Sequence, residues 1–184
     1  LEKGLQWETT WLDLSKGEHK KPEYLAINPL GKVPALIDDR VVVHDSTIIN
    51  EYLEDRFPKS SPLLPKDPAM KARARSFEDY ADAYLVPSLY KILREMRKPE
   101  AERDRDRIKE GELELLKHFA YLDRELAGRQ FFAGMFSLAD ISFIPQLSNY
   151  ERAGYKISEE FPNLKGWWER MKARPSYAAS MPTD

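Results

Sequence analysis

Residues 28–49 read Asn-Pro-Leu-Gly-Lys-Val-Pro-Ala-Leu-Ile-Asp-Asp-Arg-Val-Val-Val-His-Asp-Ser-Thr-Ile-Ile, and they hold most of the side chains in this sequence that could do chemistry. Asp45-Ser46 opens an apolar-periodic run through Ile48, Ile49, Tyr52 and Leu53. A serine at such a place is first of all an N-cap. The free N–H groups of the same helix start also attract a carboxylate, and the adjacent Asp45 can hold an ammonium group. A ligand with both charges on one carbon suits the pair. His19 and Lys32 lie in polar loops without metal-ligand spacing. The chain has no cysteine, which excludes a disulfide scaffold and a Cys-based zinc site and allows a reducing compartment.

The elements that must position these groups are readable from spacing. Leu5 to Leu14 alternates apolar and polar residues and predicts a half-buried strand. Pro22 to Ile27 predicts one or two helical turns with proline near the first position, ended by Asn28-Pro29 because the residue before proline avoids the helical region. Val33 to Ile37 and Val41 to Val43 predict two short antiparallel strands at hairpin spacing. The Val33-Pro34 step, taken alone, reads as a trans proline opening an edge strand, since only about 5–6% of such bonds are cis.

Residues 58–68 carry four prolines and mark a domain boundary. Beyond them helical spacing takes over. One long face runs from Met70 through Phe77, Tyr84 and Ile92 to Met96, with a kink expected at Pro87. A second helix covers Ile108 to Leu126 and ends before Gly128. A third starts at Ser137-Leu-Ala-Asp140, which has capping-box spacing, and a fourth spans Asn163 to Ala173. Trp167, Trp168 and Phe119 are expected in the core. The charges, 29 basic against 31 acidic, and the lack of a long apolar run point to neither nucleic acid nor a membrane as partner.

This order of strand, helix, hairpin and helix, followed by a helical region, resembles the glutathione S-transferase family of the cytosolic, theta-like or bacterial type. The resemblance covers essentially the whole chain. It is carried by Asn28 to Ile49, with support from Gly134-Met-Phe-Ser-Leu-Ala-Asp140 and Lys16-Gly-Glu-His19. It implies an α/β plus all-α fold: a thioredoxin-like N-terminal domain over 1–58, a linker over 59–66 and an all-helical C-terminal domain over 67–184. The first strand and most of the first helix are expected upstream of Leu1, so the domain reads as N-terminally incomplete.

For the site, the resemblance implies glutathione as cosubstrate. Pro34 would be cis, leaving the Val33 backbone to pair with the cysteinyl part, as in strand addition. Asp45 and Ser46 would take the γ-glutamyl group, and His19 and Lys32 would lie near the glycyl carboxylate. Tyr80, Tyr84 and Pro87 would line the second-substrate pocket. The catalytic Ser, Tyr or Cys is expected upstream of Leu1; neither Ser15, in a polar loop, nor Ser46, already assigned, takes that role. The implied function is conjugation of the glutathione thiolate to a hydrophobic electrophile, in detoxification, by a cytoplasmic homodimer. The alternatives are a glutathione-dependent dehalogenase or ether-cleaving enzyme, and a non-catalytic binding module of the same fold.

Overall fold

The structure is a computed structural model that describes residues 1–181. The chain divides into two compact units, one formed by Glu2–Pro62 and the other by Leu63 onward together with Leu1.

In the first unit the expected strand over Leu5 to Leu14 does not form: the backbone there is irregular, and Trp7 and Trp11 are 56% and 82% exposed. Alternation becomes a strand only where a neighbour completes the ladder. Among the described residues the single sheet is a hairpin of β1 (Ala35–Asp38) and β2 (Val41–His44), antiparallel, with Ala35 opposite His44 and Asp38 opposite Val41. β1 begins two residues later than the sequence suggests because Pro34 has no N–H to give the ladder. Helix α1 (Pro22–Leu25) has proline in its first turn. Helix α2 (Ser46–Arg56) is tied to the hairpin by Asp38, whose Oδ2 accepts from the Tyr52 hydroxyl at 2.7 Å and from Arg56 Nε at 3.1 Å. The Tyr52 bond, with Arg56 beside it, holds the Asp38 carboxyl below its ordinary range.

The second unit is helical. Asp67 caps α3 (Pro68–Tyr80) by accepting from Met70 N at 2.9 Å. A π-helical turn, Ala81–Leu85, then leads into α4 (Val86–Met96). The interruption falls before Pro87, where a kink is expected. Pro87 has no N–H and its ring crowds the carbonyl four residues back, so the turn widens and Val86 N–H bonds the Ala81 carbonyl instead. Helix α5 (Arg105–Leu126) is capped by Asp104, and Gly128 follows it at φ 70°, the left-handed position that ends many helices. Gly111 lets α5 close on α4, since a Cβ there would stand 2.9 Å from both the Ser88 carbonyl oxygen and Ile92 Cγ1.

Helix α6 (Leu138–Arg152) carries the expected capping box, and α7 (Pro162–Lys172) follows. A short α8 (Pro175–Ser180), which periodicity does not signal, starts where Arg174-Pro175 stops α7. Phe119, Trp167 and Trp168 are buried as expected. Phe132 packs against Phe77, Phe143 and Trp167 at centroid separations of 4.7, 4.8 and 5.2 Å. Below them sits Asp140, fully buried. It accepts from Phe132 N at 3.3 Å, Ser137 N at 3.0 Å, Ser137 Oγ at 3.3 Å and Trp167 Nε1 at 2.8 Å. Asp123 does similar service for α7, with Oδ1 accepting from the N–H groups of Asn163 and Leu164 at 2.7 and 2.9 Å.

Burial pushes the Asp140 carboxyl up to about 6 against the pull of its donors, Trp167 first among them. A carboxyl with a raised folded-state pKa contributes stability that is complete below the unfolded value and is lost as pH rises through the folded value. Relative to Asp140→Asn, the native protein is therefore expected to lose about 3 kcal/mol between about pH 4 and pH 7, read by urea unfolding at several pH values. Asp140→Ala, which strands buried donors, is expected to cost at least about 3 kcal/mol at neutral pH. Gly111→Ala is expected to cost about 1–3 kcal/mol by forcing α5 off α4, read as a lower denaturant midpoint.

Candidate functional site

The open end of the hairpin gathers the residues singled out between Lys32 and Ser46. The observed register ends at Ala35–His44, so Pro34 and Asp45 are the residues that flank the last pair, with Val33 and Ser46 next to them along the chain. The Val33-Pro34 peptide is cis, as the family resemblance implies and contrary to the reading of that step alone. Lys32, Val33, Pro34, Asp45 and Ser46 are all exposed.

What positions Lys32 and Val33 is the turn before them. Asn28 is 1% exposed, and its side chain accepts from Leu30 N at 3.1 Å and donates to the Lys32 carbonyl at 2.7 Å. The Tyr24 hydroxyl donates to the same carbonyl at 2.6 Å. Gly31, at φ 56°, leaves no room for a side chain: a Cβ would lie 2.9 Å from the His19 carbonyl oxygen. That contact brings the 3-10 turn Glu18–Lys20 beside the Lys32 turn, and Lys20 Nζ secures it by donating to the Gly31 carbonyl at 3.0 Å. His19 thus shares this corner, and its Nδ1 is buried without a hydrogen-bond partner.

On the other side, His44 Nε2 donates to the Ile27 carbonyl at 2.7 Å and ties the end of β2 to the segment after α1. Asp45 follows at φ 73° and ψ 131°, a conformation non-glycine residues seldom adopt. Asp45 is also the N-cap of α2, since its Oδ1 accepts from Thr47 N at 3.0 Å. This corrects the expectation that Ser46 caps the helix: Ser46 is its first residue, at a position whose N–H no helical bond uses. Tyr24, Asn28 and His44, the groups that hold the corner, escape sequence reasoning. Of these only Asn28, preceding a Pro-x-Gly turn, leaves a signal. Ser15 is committed locally, its hydroxyl donating to Asp13 Oδ1 at 2.6 Å.

Tyr80, Tyr84 and Pro87 lie in the helical unit, around the π-helical turn. Tyr80 and Tyr84 stack at a centroid separation of 5.2 Å, and Tyr84 is 56% exposed. Tyr80 is half-buried, packs on Tyr121 at 4.9 Å and has its hydroxyl hydrogen-bonded with His118 Nδ1 at 2.6 Å. Burial, with Tyr121 and Tyr84 nearby, pushes its hydroxyl up to about 12. Pro87 is exposed in the first turn of α4. His118 and Tyr121 come from α5, far away in sequence, and periodicity alone assigns them only to a helix. Among the described residues no cluster of His, Asp or Glu is arranged to hold a metal, and no helix is long and apolar enough to cross a membrane.

With this geometry in place, comparison with known proteins is decisive. Residues 1–56 match the glutathione S-transferase N-terminal domain and residues 85–175 the glutathione S-transferase C-terminal domain. Glutathione S-transferase hmp2 of Hypomyces subiculosus is 30% identical, over 96% of this chain and 87% of its own. The crystal structure of glutathione transferase F7 from Populus trichocarpa superposes with a TM-score of 0.86 at 26% identity, covering 97% of this chain and 87% of that one. The theta class glutathione S-transferase of Xanthomonas axonopodis pv. citri, solved with glutathione bound, gives 0.80 at 28% identity over 90% and 80% of the two chains. The chain belongs to the glutathione S-transferase family, with a thioredoxin-like N-terminal domain and a helical C-terminal one.

The reassigned cap carries a stability prediction. Asp45→Ala is expected to lower stability by about 1 kcal/mol through loss of the cap. Ser46→Ala is expected to stay within about 0.5 kcal/mol of the native protein. Thermal unfolding of the two variants side by side checks the order.

Proposed function

We propose that this glutathione transferase holds its cosubstrate, glutathione, along the open end of the hairpin and joins the sulfur to a hydrophobic electrophile. The observation that carries the reading is that the cis Val33-Pro34 step and Asp45-Ser46, at a helix start, flank the last hairpin pair, Ala35–His44. A tripeptide can add to Val33 as a short strand. Its γ-glutamyl carboxylate then meets Ser46 and the first N–H groups of α2, while its ammonium group meets Asp45. Lys32 and His19 supply the cationic and donor groups for the glycyl carboxylate at the corner they share. The glutathione-binding domain comprises 1–58 and the helical domain 67–184, with 59–66 as linker.

The chemistry needs the thiolate, because a free thiol with a pKa of about 8.5 is mostly protonated at neutral pH. The thiolate lone pair forms the sulfur–carbon bond as the leaving group departs with the electrons of its own bond, and the thiol proton goes to solvent. Residues 19–46 bind and orient the tripeptide, and none of them is assigned to activate the sulfur. Tyr80, Tyr84 and Pro87 form the wall for the apolar electrophile. Exposed Leu113 and Leu116 on α5 support a homodimer, and the family's usual place is the cytoplasm, in detoxification.

The protein is expected to be retained on immobilised glutathione and eluted by the free tripeptide. Ser46→Ala is expected to weaken glutathione binding about tenfold, the size of one charge-assisted hydrogen bond, without the stability loss of an Asp45 variant. Absence of retention, with Ser46→Ala making no difference in calorimetric titration, would overturn the assignment.

A further inference from the structure

Four polar side chains in the helical unit form a continuous hydrogen-bonded chain whose direction can be worked out. Gly111, Glu114 and His118 recur at helical spacing along one face of α5, and Gly111 brings that face against α4 at Ser88. The π-helical turn before α4 leaves Tyr80 at the end of α3 and Ser88 at the start of α4 both within reach of His118. The Tyr80 hydroxyl stands 2.6 Å from His118 Nδ1, and Ser88 Oγ stands 3.2 Å from His118 Nε2 and 2.8 Å from Glu114 Oε2. Lys91 Nζ closes the chain by pairing with Glu114 Oε1 at 2.6 Å and with Glu110 at 2.7 Å.

The protons have one consistent arrangement. Lys91 and the Ser88 hydroxyl hold the Glu114 carboxyl below its ordinary range, so it is an ionised acceptor. Ser88 has a single hydroxyl proton, and the carboxylate at 2.8 Å takes it in preference to the Tyr84 carbonyl at 3.4 Å. His118 Nε2 must then carry a proton and donate to Ser88 Oγ. A neutral imidazole with a proton on Nε2 has only a lone pair on Nδ1, so Tyr80 donates to it. The phenolic oxygen is left with lone pairs alone.

We propose that His118, acting through this chain, makes Tyr80 a hydrogen-bond acceptor in the second-substrate pocket and so selects electrophiles that carry a hydroxyl or N–H donor. The inference rests on the reading that Tyr80 lines that pocket. His118 is a positioning residue here and Tyr80 the group that meets the substrate. The arrangement also reverses with pH. When His118 takes a second proton both ring nitrogens donate, and Tyr80 must turn its own proton outward. The groups facing the ring are Tyr80 from α3, Ser88 from α4 with Lys91 behind Glu114, and Glu114, Lys117 and Tyr121 along α5. Burial holds the imidazole below its ordinary range, with Glu114 opposing and Lys117 reinforcing, so the neutral form prevails at neutral pH.

The test compares kcat/KM for para-hydroxyphenacyl and para-methoxyphenacyl bromide, each displaced by glutathione at the same carbon, with a hydroxyl donor in one only. The native enzyme is expected to favour the hydroxy compound, and Tyr80→Phe and His118→Leu to lower that preference about tenfold. His118→Asn, whose amide oxygen accepts where Nδ1 does, is expected to restore the preference. In the native enzyme the preference is expected to fall as pH drops below the ordinary imidazole range, and in His118→Asn to stay level. An unchanged ratio in both Tyr80→Phe and His118→Leu, with Tyr80→Ala slowing both compounds equally, overturns the proposal and leaves Tyr80 as an apolar wall. Tyr80→Ala without effect on either compound overturns the pocket reading itself, and the proposal with it.

Discussion

The helical unit is organised around one buried carboxylate. Asp140 collects donors from the loop at Phe132, from the start of its own helix at Ser137 and from the Trp167 indole on α7. Desolvating a carboxylate is costly, and the convergence of several donors offsets that cost in part. That condition fixes three segments at once. It explains why Phe132 and Trp167 meet edge to face at 5.2 Å and why α7 cannot slide along α5, where Asp123 already holds its N-terminus. With that frame set, α4 and α5 can close at Gly111, and their closeness aligns the chain from Tyr80 to Glu114.

How much of this the sequence reveals depends on the range over which each signal acts. The capping box at Ser137 and Asp140, the hairpin and the helix stop at Gly128 are local, and all are read correctly within a residue or two. The strand expected over Leu5 to Leu14 is the opposite case. Its alternation is real, but a ladder partner is a property of another segment, and none stands beside it among the described residues. Pro87 is intermediate: the sequence says the helix must deviate, and the structure shows the deviation as a wider turn ahead of the proline. The donors to Asp140 from Phe132 and Trp167, and the link from Tyr80 to His118, join residues on different elements, so no spacing rule announces them.

The site shows the same division. Val33-Pro34 and Asp45-Ser46 are visible as chemistry in the sequence, and both adjoin the Ala35–His44 pair that ends the hairpin. What the sequence hides is the support behind them. Tyr24 and Asn28 both bond the Lys32 carbonyl, and His44 reaches back to Ile27. These bonds hold the backbone on both sides of the open end.

Asp45 shows how a short acid alters such a site. Its side chain reaches the Thr47 N–H only because it is one methylene shorter than glutamate, the usual geometry of an aspartate cap. Capping fixes the carboxylate orientation and holds the backbone at φ 73°, a conformation that must be supported by its surroundings. The His44 bond to Ile27 on one side and the first turn of α2 on the other provide that support. One oxygen is then engaged by the helix. A longer acid would reach further and be less constrained. The shorter one gives up reach and gains orientation, so the same bond that starts the helix also fixes the acid at its N-terminus.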